Sequence, residues 1–135
     1  MYEEKLKEKK EIVQKIYFNT QQQAQIIQEE DEEKLLPLLH ERQELIQELE
    51  CITQQIQEIK SRIKITQEQK DMETEIQKKL QQVYDQEIKN QQQMEKNRQE
   101  LYQNIQDLQQ SKKAMAEGYR KQQVSTYGYF IDKKN

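Results

Sequence analysis

Residues suited to covalent or metal chemistry are scarce in this sequence, and so are residues that break helices. Its 135 residues include one cysteine, one histidine, one proline and two glycines. A lone Cys51 excludes an intrachain disulfide and fits a reducing compartment. It stands one place before Ile52 in a heptad, which predicts a partly buried, inert thiol. His40 has no Cys, Asp or second His at ligand spacing, so a solvated or partly covered helix residue is expected there. Two glycines ten residues apart, Gly118 and Gly128, cannot form a phosphate-cradling loop. No window approaches the roughly 18 apolar residues of a membrane-spanning helix, and the amino terminus "MYEEKLKEKK" lacks the apolar core of a secretion signal. A soluble, cytoplasmic protein is the expectation.

Strong charge of one sign is also missing. The net charge is -3 and the isoelectric point is near 5.4. The basic clusters at 7–10, 112–113 and 133–134 are separated and mixed with acid, so no phosphate-tracking stripe exists and nucleic acid is not an expected partner. Carboxylates are abundant but have bases four residues on, as in Glu58 with Arg62 and Glu75 with Lys79, the pattern of a solvated helix face. No catalytic residue, metal site or cofactor is predicted, and the chain does not read as an enzyme.

What the sequence does hold is helix. Hydrophobic residues are 33% of the chain and charged ones 35%, too lean for a thick two-layer core. One proline, two glycines, low net charge and recurrent Ile and Leu argue equally against disorder. Long helices that each bury a narrow stripe satisfy both constraints. Glutamine, about a fifth of the chain, is a good helix former, and the "QQQ" runs read as outward surface.

The apolar spacing predicts an all-α fold, an antiparallel bundle or coiled coil of three long helices plus a short carboxy-terminal segment. Helix A is placed at 2–29, with Leu6, Val13, Ile16, Tyr17, Ala24 and Ile27 in phase and Ile12, Phe18 and Ile26 widening the stripe. The acidic run "EEDEE" at 29–33 and Pro37 mark a turn, with Asp31 as N-cap. Helix B, at 32–65, has the clearest pattern. Leu38, Leu45, Ile52 and Ile59 fall seven apart, as do Arg42, Leu49, Ile56 and Ile63, so an a/d seam runs four heptads with one charged interruption. Leu36, Leu39 and Ile46 broaden it, which predicts a central helix. Thr66 and Gln69 form a candidate capping box, and the phase slips between 65 and 72, so a turn is favoured there over a single rod.

Helix C is placed at 67–117, thinly apolar at first, with Met72, Ile76, Leu80, Val83, Tyr84 and Ile88. Its second part tightens: Met94, Leu101, Leu108 and Met115 are seven apart, with Arg98, Ile105, Lys112 and Tyr119 on the other line. Gly118 is expected as the C′ residue. The bundle is thus assigned to 1–121 and an aromatic tail to 122–135. Tyr127, Tyr129 and Phe130 crowd that tail, which is unlike an undocked terminus.

Three passages are similar to those of a known family: "IIQEEDEEKLLPLLHERQELIQELE" (26–50), with its acidic turn, leucine pair and "ERxxLIxxL"; "KKAMAEGYR" (112–120), a small-residue stretch ending in Tyr119; and "GYFIDKKN" (128–135), an aromatic group before "DKK". In these the chain resembles the FliT-like flagellar secretion chaperones. It departs from them in placing Gly118 before Tyr119 and a proline in helix B. The resemblance implies an antiparallel bundle that binds the carboxy-terminal helical region of the filament cap protein. It also implies that this subunit is kept monomeric and delivered to the export gate or export ATPase components of the type III system. The client is expected as an amphipathic helix between helices B and C. The expected client-contact residues are Leu101, Tyr102, Ile105, Leu108, Met115 and Tyr119, with Tyr127, Tyr129, Phe130 and Ile131 as a regulatory lid. For Leu101, Ile105 and Leu108 plain core packing is an equal expectation. Self-association as a homodimer stays open. The alternative function is a homo-oligomeric coiled-coil stalk subunit, which needs helices B and C to be continuous; a prefoldin-like holdase would need strands.

Overall fold

The computed structural model describes the backbone of residues 1–134 and the side chains of 1–118. The described residues form three helices and no strand: α1 (Tyr2–Gln28), α2 (Glu32–Lys60) and α3 (Gln67–Lys134). An all-α helical bundle is therefore the fold. No helix among the described residues is long and apolar enough to cross a membrane. The chain divides into two units, Met1–Glu95 and Lys96–Asn135.

The first unit is an up-down-up bundle, and its cross-helix bonds fix the directions. Arg42 of α2 pairs with Glu87 of α3, and Lys60 pairs with Glu73 at 3.3 Å, so α2 and α3 are antiparallel. Tyr2 donates to Glu73, and Asn90 Nδ2 donates to the Thr20 carbonyl at 3.1 Å, so α1 and α3 run together. One apolar cluster joins Tyr2, Leu6, Val13, Ile52, Ile56 and Ile76, and a second joins Ile16, Leu45 and Val83. The seam of α2 is thus the central wall, touched by both neighbours. Leu35 is buried seven residues before Arg42 and extends the same line, while adjacent Leu36 is 70% exposed.

Between α1 and α2 the chain makes a Schellman turn. The Asp31 amide donates to the Ile26 carbonyl at 3.3 Å and the Glu30 amide to the Ile27 carbonyl at 3.1 Å. The left-handed position, φ 58°, is held by Glu30. A side chain there costs about 1–2 kcal/mol, which glycine would not incur. Glu30→Gly is therefore expected to raise stability by about 0.5–1 kcal/mol after the added entropy of the unfolded chain is counted, read as a higher urea midpoint. Asp31 occupies the N-cap position as expected but makes no capping bond; it pairs with Lys34 at 3.5 Å instead. Pro37 lies inside α2, in its second turn.

α2 ends at Lys60, five residues short of the expected end at 65. The intervening 61–66 returns the chain and sets Ile65 against the first cluster, while Ile63 stays exposed, so the last position of the predicted seam is never helical. The capping box at the start of α3 is formed. The Gln69 amide donates to Thr66 Oγ1 at 3.2 Å, and the Thr66 amide to Gln69 Oε1 at 3.1 Å. α3 passes through the position expected to stop it: Gly118 has no positive φ, so it is an ordinary helical residue and not a C′ glycine.

At one end of the bundle Tyr2, Glu73, Lys60 and Lys9 form a titratable cluster. Burial, and then the hydrogen bond to and charge of Glu73, push the Tyr2 phenol well above its ordinary value. Burial lowers the Lys9 amine, partly offset by Glu73 and reinforced by Lys60. The phenol is protonated in both states below about pH 10, the unfolded value. Above it the unfolded chain releases a proton that the folded chain keeps, so stability falls as pH rises. Lys9 acts in the opposite sense. Urea unfolding at about pH 9, 10 and 11 should show a steeper decline for the wild type than for Tyr2→Phe.

Candidate functional site: an exposed apolar face on α3

A layer of polar side chains crosses the first unit between its apolar positions. Asn19, Thr20 and Asn90 are buried, with Gln23 beside them. Asn19 Nδ2 donates to the Leu38 carbonyl at 3.0 Å, Gln23 Nε2 donates to Asn19 Oδ1 at 2.6 Å, and Thr20 Oγ1 donates to the Ile16 carbonyl at 2.7 Å. Gln86 Nε2 donates to Asn90 Oδ1 at 2.9 Å, and Arg42 Nε to Glu87 at 2.6 Å. Among the described residues no buried side-chain nitrogen or oxygen lacks a partner. This layer spans all three helices and fixes their register, because sliding any helix would orphan groups that cost about 1–3 kcal/mol each. It is satisfied internally and offers nothing to a ligand.

The rest of the first unit holds little that reads as a site. Glu75 and Lys79 do not pair with each other. Glu75 meets Lys10 at 3.4 Å, and Lys79 stands 3.7 Å over the Tyr17 ring. His40 is exposed. Cys51 is exposed too, with the Gln55 amide 3.6 Å from its sulfur. The expectation of a partly buried thiol therefore fails: the seam is narrow, and the position before Ile52 lies outside it. Phe18, expected in the α1 stripe, is 65% exposed in a shallow depression with Glu11, Gln14, Lys15 and Glu41. No group of acidic, histidine or cysteine side chains among the described residues could hold a metal.

The second unit, taken alone, carries a different surface. Leu101, Ile105, Leu108 and Met115 follow one another with Lys112 at steps of four, three, four and three, so they lie within an arc of roughly 80° on a 3.6-residue helix. A stripe that narrow and regular normally faces a partner helix. Here Leu101 is 58% exposed, Ile105 45%, Leu108 56% and Met115 76%. Ile76 and Val83 of the same helix, by contrast, are 3% and 5% exposed. Tyr102 flanks the stripe and is likewise exposed. The opposite face is polar and internally paired, with Gln103 Nε2 donating to Asp107 Oδ1 at 3.1 Å.

Five of the six expected contact residues thus stand together on one exposed helix face. They are not core, although core packing was an equal expectation for three of them. The contacts described between α2 and α3 are made by other residues, such as Arg42 with Glu87. The side chains of Tyr119 and of the expected lid, Tyr127, Tyr129, Phe130 and Ile131, lie outside the described residues. Comparison with protein families, with curated proteins and with solved structures gives no match.

Proposed function

We propose that this chain is a helix-binding protein without enzymatic activity, and that the 101–115 face of α3 receives an amphipathic helix of a client. The observation that carries this reading is the row Leu101, Ile105, Leu108 and Met115, apolar at heptad spacing yet 45–76% exposed. Contiguous apolar surface of this kind marks an interaction site. Burial of the four would contribute roughly 1.5–3 kcal/mol each at the upper limit. The association cost is about 4–15 kcal/mol, so these four leave at most about 8 kcal/mol and binding no tighter than the micromolar range is expected. Affinity of that order suits a client that must be released.

The resemblance to flagellar secretion chaperones supports a specific client, the carboxy-terminal helical region of the filament cap protein, kept monomeric in the cytoplasm and passed to the export gate or export ATPase. The rod-like stalk is the weaker reading, because it needs α2 and α3 to be continuous and residues 61–66 separate them. Light scattering on a sizing column tests the client directly. Chain mixed with the cap protein's carboxy-terminal segment should elute as a complex of defined stoichiometry; separate elution at about 100 μM of each would rule this client out.

A further inference from the structure

One side chain of the exposed stripe is not apolar. Lys112 stands in line between Leu108 and Met115, inside the arc that a bound helix would cover. It is exposed and takes part in no ion pair among the described residues. Its own helix cannot supply one. The positions three and four away hold Leu108, Gln109, Met115 and Ala116, while the nearest carboxylates, Asp107 and Glu117, are five residues off and about 140° round the helix.

The first unit shows what this chain does with a cation that faces another helix. Arg42 interrupts the α2 seam three residues before Leu45 and four after Leu38, the same a position that Lys112 has between Leu108 and Met115. Glu87 of the facing helix meets it. Lys60 meets Glu73 across the same pair of helices at 3.3 Å, and Lys10 of α1 meets Glu75 of α3 at 3.4 Å. Each of these carboxylates comes from the facing helix. Lys112 lacks such a partner because nothing described faces it.

We infer that the helix received by the 101–115 face bears a carboxylate beside its apolar row, and that Lys112 selects for it. The inference rests on the helix-binding reading above and adds the chemistry of the partner: an amphipathic helix with Asp or Glu flanking its apolar stripe, level with Lys112. A helix laid over Leu108 and Met115 takes water from both sides of the Lys112 stem. The stem can run along apolar surface, but the ammonium head ends at the edge of the contact, where a flanking side chain of the partner meets it. A carboxylate there gains a partly desolvated ion pair, glutamine leaves the head to water, and a lysine sets two cations side by side. Selection therefore works by attraction and by repulsion together. Residues 95–118 hold Lys96, Arg98, Lys112 and Lys113 against Glu95, Glu100, Asp107 and Glu117, so their charges balance. The preference comes from the place of Lys112 in the stripe and not from a general field.

Three synthetic helices of about 21 residues, three heptads, serve as probes. They share one apolar a/d row and differ only at the flanking e and g positions, which are all Glu, all Gln or all Lys. With each labelled helix held at about 0.1 μM, fluorescence titration with the unmodified chain should rank Glu above Gln above Lys, about 10-fold between the extremes, and the spread should narrow at about 0.5 M salt. Lys112→Met keeps the row apolar and should bring the three affinities within about 2-fold of one another; Lys112→Glu should reverse their order. The position is exposed, so both variants should fold, and circular dichroism checks that. Equal affinity of the three helices for the unmodified chain, or an unchanged ranking in Lys112→Met, would overturn the inference and leave helix binding in place. Binding of none of them at about 1 mM chain would overturn the helix-binding reading as well.

Discussion

Ile105→Asp combined with Leu108→Asp is expected to weaken the binding of a partner helix to the 101–115 face of α3 by at least about 100-fold while leaving the thermal unfolding of the bundle almost unchanged. Both side chains sit at the middle of the exposed row, at 45% and 56% exposure. In a complex they would lie where water is most fully excluded. Each substitution removes apolar burial and adds a carboxylate that must be desolvated, about 2–3 kcal/mol together per site, and two such sites exceed a factor of 100 comfortably. In the free chain neither position is buried, so the change in stability should stay within about 0.5 kcal/mol. Gln110→Asp, on the polar face of the same helix, is the matched control and should leave binding unaltered. Loss of binding by the control as well would assign the effect to net charge rather than to the stripe.

Leu6→Ala has the opposite profile. Leu6 is 1% exposed and belongs to the cluster with Tyr2, Val13, Ile52, Ile56 and Ile76, where all three helices meet. Truncation removes three carbons from a site that the surrounding rigid helices cannot close over, so a loss of about 3 kcal/mol is expected, within the usual range of about 2–5. Total stability of small domains is only about 5–15 kcal/mol, so the variant should show a large fall in urea midpoint at unchanged slope. Its affinity for a helical partner at 101–115 should be little altered wherever the protein remains folded.

The parts of the fold that were legible in the sequence are those encoded locally. The α2 seam reads directly from Leu45, Ile52 and Ile56, because heptad spacing and burial are the same fact in a helix packed on two sides. The Thr66 and Gln69 box could be read because both of its bonds span three residues. What could not be read depends on partners distant in the chain. Asn90 lies in a stretch that looks wet, and only the Thr20 carbonyl, 70 residues away, makes it interior. Arg42 looks like a flaw in the seam until Glu87 meets it. Gly118 reads as a stop signal because glycine favours the left-handed turn, but nothing in its local sequence compels that turn. Of the site, the heptad line of Leu101, Leu108 and Met115 was visible at once. Whether it was core or surface was not, because periodicity says that a face is apolar and leaves open what covers it.

That division of α3, covered where it meets α1 and α2 and uncovered from Leu101 to Met115, is the central claim, and amide hydrogen exchange tests it most directly. At about 1 μM, without partner, amides of 100–113 should exchange far faster than those of 76–90, because an unpacked helix segment opens locally at little cost. Adding a client helix should slow exchange at 100–113 in the wild type and have no effect in the Ile105→Asp, Leu108→Asp variant. Equal, slow exchange across both segments without partner would contradict the account, for it would mean that the face is already covered.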